Sequence, residues 1–303
     1  MTISLLKNRW FSSVESKNSL KKIFDALKKG KKVKNEYSPF GKLKNGFSDF
    51  RGINFIKRDI NNAIFEDSDL SYCNFDGTWI KDSSFSNVLF ERAILTNISE
   101  LGNTFKNVLF KNCNFKGSFI GYNGSFYENC IFENSNFITT GFIRGKFENC
   151  RILNCRLKNV DFYVTSFKNC FFRGLLEDTW FRGEYPYPSD IKEFGKATRN
   201  EMKNVSFEEA ELIGVNFSNN CDLSTILLPN SGNYKLFDNW KQKLDNLKKD
   251  IEKWPEHLKK EANIMVDSFL IHANKQNCFI LNIDEIENSF GTEISVRALN
   301  ILN

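Results

Sequence analysis

Eight cysteines and two histidines are the side chains of this chain best suited to chemistry, because thiolates and imidazoles bind metals and paired thiols form disulfides. The histidines, His257 and His272, are too far apart in sequence for a local metal motif. Cys130, Cys150 and Cys170 instead follow one another at intervals of twenty residues. Even spacing of that length is typical of packing in a repeat, so the pattern favours free structural thiols over a disulfide or metal cluster.

The elements that must position these cysteines are units of five residues between 48 and 172. A large apolar residue returns at every fifth position from Phe50 to Ile120, except at Glu100. This period fits neither a helix, at 3.6 residues, nor a strand, at two. Steps of six residues to Phe126 and then Phe132 indicate two one-residue insertions, after which the regular spacing continues to Phe172.

A small residue stands two positions before most of these apolar residues, and Asp or Asn often stands between the two. Two residues of every five are therefore expected to point inward, with the Asp or Asn bonding to nearby backbone donors at a turn. Four units would close a square coil of about 20 residues, and stacked coils would rise about 4.8 Å each. The predicted core includes Phe50, Phe55, Phe75, Phe90, Phe110, Phe115, Phe132, Phe147, Phe167, Phe172, Cys73, Cys113, Cys130, Cys150, Cys155 and Cys170.

The five-residue motifs resemble those of the pentapeptide-repeat family. Examples are Ser-Asp-Phe-Arg-Gly at 48–52, Cys-Asn-Phe-Asp-Gly at 73–77 and Cys-Asn-Phe-Lys-Gly at 113–117, and the pattern returns at 205–228. The resemblance implies an all-β solenoid, a right-handed quadrilateral β-helix. We expect this β-helix over residues 46–228, with α-helical appendages at both ends and a non-repeat insertion at 173–204.

The two appendages show helical spacing of apolar residues. In the N-terminal region, 1–45, the helix around Ile23 and Leu27 is expected to cap the coil, because repeat folds need a covered end. Residues 1–44 also hold twelve Lys and Arg against three Asp and Glu, so an alternative is contact of this Lys-rich segment with nucleic acid or an anionic membrane surface.

Residues 229–303 are predicted to be helical, since apolar residues from Tyr234 to Trp254 step by three and four. This stripe is expected to pack on the last coil or on a second copy of the chain, giving a homodimer. The segments at 283–286 and 294–302 also resemble the start of the C-terminal domain of the bacterial RNA polymerase α subunit.

Function is expected to lie in the exceptions to the repeat. A literal inward placement of Glu100 would bury a carboxylate, so we expect residues 98–102 to bulge, with Ile98 or Leu101 filling the gap. The insertion at 173–204 either covers one flank of the β-helix or protrudes as a recognition loop. The candidate partner contacts are Glu100, Trp180, Phe181, Tyr185 and Tyr187.

The chemistry expected of an enzyme is missing from the pattern: there is no paired base and nucleophile, no phosphate-binding glycine loop, and a filled coil offers no pocket. We therefore predict a non-enzymatic protein-binding scaffold without cofactors. The chain has no signal-peptide pattern and no apolar stretch of about 18 residues, so a soluble, cytoplasmic protein is expected.

One alternative follows from the family resemblance, because several pentapeptide-repeat proteins imitate DNA and bind gyrase or related topoisomerases. Such mimicry needs a strongly acidic surface. Residues 45–228 hold 20 Lys and Arg against 23 Asp and Glu, and this near-neutral balance counts against it.

Overall fold

Short parallel strands, stacked in register, build the body of the structure, a computed structural model that describes residues 2–303. Each strand pairs with the strand one coil further along the chain, so that Phe65 lies beside Phe85 and Phe85 beside Phe105. About seven turns of this parallel solenoid follow one another, with helices at both ends. The predicted four-sided β-helix is confirmed.

Most strands are short because they span one side of a coil, and the four longest continue around a corner. They are β1 (Ser48–Asp49), β2 (Asp59–Asn61), β3 (Ile64–Asp69), β4 (Trp79–Lys81), β5 (Ser84–Glu91), β6 (Ser99–Leu101), β7 (Thr104–Lys106), β8 (Leu109–Lys111), β9 (Phe119–Tyr122), β10 (Phe126–Glu128), β11 (Ile131–Glu133), β12 (Gly141–Ile143), β13 (Lys146–Glu148), β14 (Arg151–Leu153), β15 (Leu157–Lys158), β16 (Asp161–Tyr163), β17 (Ser166–Lys168), β18 (Phe171–Glu177), β19 (Trp180–Arg182), β20 (Ser206–Ile213), β21 (Asn216–Ser218), β22 (Tyr234–Phe237) and β23 (Phe279–Asn282). The α-helices are α1 (Ile3–Asn8), α2 (Val14–Lys28), α3 (Asp190–Phe194), α4 (Trp240–Ile251), α5 (Glu256–Ala273), α6 (Ile283–Phe290) and α7 (Thr292–Leu302).

Stacked phenylalanine rings fill the coil. The rings of Phe85 and Phe105 lie 4.9 Å apart and nearly parallel, and those of Phe110 and Phe132 lie 4.8 Å apart. All the phenylalanines and cysteines named above as core are at most 5% exposed. The cysteines are free, and the Cys113 thiol donates a hydrogen bond to the Phe90 carbonyl oxygen at 3.2 Å. The regular spacing of the cysteines therefore reflects packing.

Asparagine and aspartate side chains shape the corners of the coil. The Asn74 side-chain oxygen accepts a hydrogen bond from the Asp76 backbone N–H at 3.0 Å, as expected for the residue before each inward position. A second set of asparagines has left-handed backbone, and neighbours stack along the coil axis. Among them, the Asn129 amide donates to Asn107 at 3.1 Å. These side chains thus add to the backbone hydrogen bonds of the turns, such as the one from the Thr78 N–H to the Phe75 carbonyl oxygen at 2.9 Å.

The interruption of the coil is shorter than the predicted insertion at 173–204. Leu176 takes the inward position only four residues after Phe172, and Phe181 takes the next one. Strands β18 and β19 therefore continue the sheets, and the chain leaves the coil only after Arg182. It returns at Asn200, whose backbone N–H donates to the Gly183 carbonyl oxygen at 2.9 Å. We call residues 183–199 the excursion.

The N-terminal helices pack on the first coil. Ile23 and Leu27 of α2 are buried, and the Phe24 ring meets the Phe55 ring edge-on at 5.9 Å. The Arg9 guanidinium forms two hydrogen bonds, of 2.8 and 2.5 Å, with the Asp49 carboxylate. Although burial opposes this, those bonds and the ones from Arg51 hold the pKa of Asp49 well below its usual range.

The C-terminal helices enclose a second core of their own, which includes Trp240 and Leu247. The prediction of helix from Tyr234 onward is wrong at its start, because 234–237 form β22, which pairs antiparallel with β23. The Gln276 side chain joins this unit to the last coil through bonds of 3.0 and 2.7 Å to the Cys221 backbone. Contact of these helices with a second copy of the chain stays a prediction.

Candidate protein-binding face

One side of the coil carries exposed aromatic residues, and we call it the aromatic face. Its sheet has the strand order β2-β4-β6-β9-β12-β16-β19-β21. The central residue of each strand points inward, so its two neighbours point out. Trp79, Ser99 and Phe119 lie side by side in one outer column, and Trp79 and Phe119 are 55% and 56% exposed. The two rings stand two coils apart, roughly 10 Å.

The Phe119 ring lies over Gly141 on the adjoining strand. A Cβ atom added at Gly141 would sit 3.2 Å from a carbon of that ring, closer than ordinary contact. The missing side chain thus leaves room for the ring on the sheet surface. The outer face of the ring stays open to solvent.

The excursion folds back beside this column. The Tyr122 hydroxyl donates to the Glu193 carbonyl oxygen at 3.0 Å, and the Tyr122 ring meets the Phe194 ring edge-on at 5.9 Å. Tyr122 and Phe119 belong to the same strand, β9. The excursion therefore forms a wall along the aromatic face.

A buried carboxylate fixes the shape of the excursion. Asp190 is 6% exposed and accepts hydrogen bonds from the Tyr163 hydroxyl and, at 3.1 Å, from the Tyr187 backbone N–H. Burial and the nearby Asp190 raise the pKa of Tyr163, so that hydroxyl remains a donor. The outer surface of the excursion exposes Tyr187 and Ile191, at 65% and 51%.

The far end of the aromatic face meets the C-terminal unit. The Arg182 guanidinium bonds to the Asp161 carboxylate at 3.0 Å and lies 4.7 Å from the centre of the Trp180 ring. The edge-on contact between Trp180 and His272 spans 4.9 Å. Burial, and secondarily the Arg182 charge, lower the pKa of His272. Helix α5 is thereby held against β19.

The predicted contact residues differ widely in accessibility. Tyr187 is exposed, Trp180 and Tyr185 are half-buried, and Phe181 is fully buried, with its ring stacked 4.8 Å from that of Phe162. Trp79 and Phe119 were missed by the sequence reasoning. Both could have been predicted from the sequence, because each is an aromatic residue directly before an inward position, where Asp or Asn commonly stands.

Glu100 does not bulge, contrary to expectation. It occupies the inward position beside Ile80 and is 1% exposed. Its carboxylate accepts hydrogen bonds from the Asn103 amide at 2.5 Å, the Gly121 backbone N–H at 2.6 Å and the Tyr127 hydroxyl at 3.0 Å. Burial raises the pKa of Glu100, although these donors oppose the rise. The side chain is thus enclosed by the coil and does not reach a partner.

The interruption after Ile120 also differs from the prediction. The next inward residue is Tyr127, which is 2% exposed, whereas Phe126 lies in an outer column beside Thr104 and Lys146. Two extra residues are therefore inserted together, before Tyr127, in place of two separate insertions. This arrangement brings the Tyr127 hydroxyl to Glu100.

Acidic residues on the outside of the coil alternate with lysines. Ion pairs join Lys106 to Glu128 at 3.0 Å and Lys158 to Glu177 at 2.6 Å, each between neighbouring coils. The exposed Glu66 carboxylate is likewise paired with Lys32. A continuous negative surface does not form along these columns.

Metal-binding groups are scarce over residues 2–303, and the interior of the coil is nearly filled. No cluster of three or more His, Cys, Asp or Glu side chains there could hold a metal ion. A void inside the coil, lined by residues such as Phe132 and Phe147, has a volume of about 10 Å³, which is about the size of one water. None of the helices described is long and apolar enough to span a bilayer.

Comparisons with known proteins point to the same repeat. Residues 48–87 match the family model of pentapeptide repeats, in eight copies. No curated protein sequence matches the chain.

Solved structures with a similar fold are more distant. A trypsin-treated variant of QnrB1, a plasmid-mediated fluoroquinolone resistance protein, is 12% identical, with 56% of this chain and 92% of QnrB1 covered and a TM-score of 0.30. HetL, a pentapeptide-repeat protein involved in regulating heterocyst differentiation in the cyanobacterium Nostoc, is 11% identical over 61% and 93% of the two chains, with a TM-score of 0.32. Superpositions this loose carry no functional argument. The family match and the stacked five-residue units nevertheless agree, and residues 48–87 consist of pentapeptide repeats.

Proposed function

We propose that this protein is a non-enzymatic scaffold that binds a protein partner through the aromatic face, with the excursion as a second contact. The observation that carries the proposal is the exposure of Trp79 and Phe119 on a coil whose other aromatic rings largely fill the interior. Aromatic side chains bury large areas and dominate the energetics of protein interfaces.

The rigidity of the face supports the same proposal. The backbone of each aromatic-face strand is held by parallel neighbours, and the excursion is anchored through Tyr122 and Tyr163. A surface already ordered before binding loses little conformational entropy when a partner docks. Tyr187 and Ile191 would add a raised edge to an otherwise flat contact.

The test compares proteins retained from a lysate of the native host by three forms of the full chain. The Trp79→Ser, Phe119→Ser double variant should lose partners that the wild-type chain retains. The matched control, Leu175→Ser with Ile213→Ser, removes two exposed apolar side chains from β18 and β20, on a different side of the coil, and should retain them. Equal retention by all three forms would contradict the proposal.

DNA mimicry directed at gyrase is the less favoured alternative. The ion pairs between neighbouring coils, such as Lys106–Glu128, neutralise the carboxylates that a DNA-like surface would need. We therefore expect the full chain to leave gyrase supercoiling unchanged at micromolar concentration. Inhibition of supercoiling, or protection from a gyrase inhibitor, would reverse the order of the two hypotheses.

A further inference from the structure

Exposed apolar side chains are concentrated in the N-terminal helices. Ile3, Leu5, Phe11 and Val14 all lie within residues 3–14 and are 49%, 60%, 58% and 75% exposed. Buried neighbours such as Leu6 and Trp10 already satisfy the packing of this segment on the coil. The packing of the core therefore does not account for these four exposed apolar side chains.

Lysines cover the adjoining outer side of α2. Lys17, Lys21 and Lys28 follow one stripe of the helix, at intervals of four and seven residues. Six exposed lysines along this helix and just after it form no ion pair within residues 2–303, whereas Lys32 and Lys34 pair with Glu66 and Glu36. The six are Lys17, Lys21, Lys22, Lys28, Lys29 and Lys31. The acidic residues of α2, Glu15 and Asp25, leave a clear positive excess.

The opposite side of α2 is held on the first coil by Ile23 and Leu27. The orientation of the helix is therefore fixed, and its lysines stay exposed to solvent. The helix begins after the Ser13 cap, so Val14 lies at the start of the lysine-bearing surface. Val14 and the lysines are thus presented on one side of a helix that is fixed on the coil.

We infer that residues 3–31 dock the protein on an anionic membrane surface. Lysines near such a surface are attracted to acidic headgroups, and apolar side chains enter the boundary between headgroups and acyl chains. A nucleic acid would use the lysines through its phosphates but would leave Ile3, Leu5 and Val14 without partners. The combination therefore favours the bilayer. Binding is peripheral, through residues that lie on the surface of the fold.

The experiment is co-sedimentation of the full chain with phosphatidylcholine vesicles, with and without phosphatidylglycerol. Binding is expected only where phosphatidylglycerol is present, and added salt should weaken it. The triple variant Lys17→Gln, Lys21→Gln, Lys28→Gln should bind on the order of a hundredfold more weakly, at roughly fivefold per lysine. The control Lys116→Gln, Lys146→Gln, Lys196→Gln removes the same charge from exposed, unpaired positions elsewhere and should bind as the wild type does.

The apolar residues are tested separately with Phe11→Ser, Val14→Ser, which should weaken vesicle binding roughly tenfold without lowering the melting temperature, because both side chains are exposed. Absence of binding to phosphatidylglycerol vesicles, or unchanged binding by this variant, would overturn the inference. So would an equal loss in the charge control. Binding to a DNA duplex through the same lysines, with no vesicle binding, would assign the surface to nucleic acid and also overturn it.

Discussion

Glu100 shows how one inward carboxylate changes the residues around it. Its two oxygens need donors inside an apolar coil, and Asn103, Gly121 and Tyr127 supply them. An unpaired carboxylate at this depth would cost several kcal/mol, whereas hydrogen bonds to charged groups contribute about 1.5–3 kcal/mol each. Three departures from the repeat, at position 100, after Ile120 and at Tyr127, therefore form one structural unit.

The pH dependence of stability follows from this burial. The pKa of Glu100 is raised above 4.5, so the folded state holds the proton more tightly than the unfolded state. Stability should then fall as pH rises from about 4.5 through the raised folded-state pKa. Relative to Glu100→Gln, the wild type should gain free energy of unfolding as pH falls from neutrality, measured by urea denaturation. The exterior variant Glu201→Gln serves as control, and parallel pH curves for wild type and Glu100→Gln would refute the expectation.

At the scale of elements, the insertion after β9 depends on close approach between two backbones. Gly121 has a φ of 83°, and a Cβ atom there would lie 2.7 Å from the Gly145 Cα atom on the next coil. Its N–H also donates to Glu100. Gly124 has a similar φ, 79°, but a Cβ atom there would meet nothing within 4 Å.

These two glycines make a matched pair for mutation. Gly124→Ala should cost about 1 kcal/mol, from the left-handed backbone alone. Gly121→Ala should cost clearly more, about 3 kcal/mol or above, because the neighbouring coil must also move. Thermal and urea unfolding of both variants measure the difference. Equal losses would show that the coils separate easily at this point.

For the whole molecule, the five-residue period was enough to predict the coil, because each unit places one large and one small residue inward. A wrong assignment in one unit leaves the assignment of the other units unchanged. The failures occur where spacing changes and the chain compensates elsewhere. Phe126 was preferred to Tyr127 because the sequence does not reveal that Glu100 needs a hydroxyl. Leu176 was not predicted as an inward residue because it follows Phe172 by four residues, one fewer than the period of the repeat.

The candidate site was harder to predict than the fold. The five-residue period that places Ile80 inward also places Trp79 outside, but contacts were expected only at interruptions of the repeat, so the exposed ring on a regular coil was not singled out. The five-residue count ends at Phe172, so it predicts Phe181 outside the repeat and accessible, whereas the residue is buried. In the C-terminal unit, the steps from Tyr234 to Phe237 and Trp240 match a helical period although the first two belong to a strand.

Thiol chemistry reports on the integrity of the whole coil. Burial raises the pKa of Cys113 and Cys155 to about 12, so thiolate is scarce at neutral pH. Cys278 is the half-buried exception. Iodoacetamide should therefore label Cys278 alone in the native protein and all eight cysteines after denaturation, as counted by intact-mass spectrometry. Rapid native labelling of further cysteines would mean that the coil opens readily.

The coil resumes its register after the excursion. Phe181, just before it, stacks 5.2 Å from Phe217, one turn later, and the strands that hold them, β19 and β21, pair in register. The coil therefore keeps its register across the excursion, whose two ends, at Gly183 and Asn200, are hydrogen-bonded to each other. Recognition and folding are separable along this chain, so the segment could be lengthened, exchanged or diversified by evolution or by an engineer while the supporting coil stays the same.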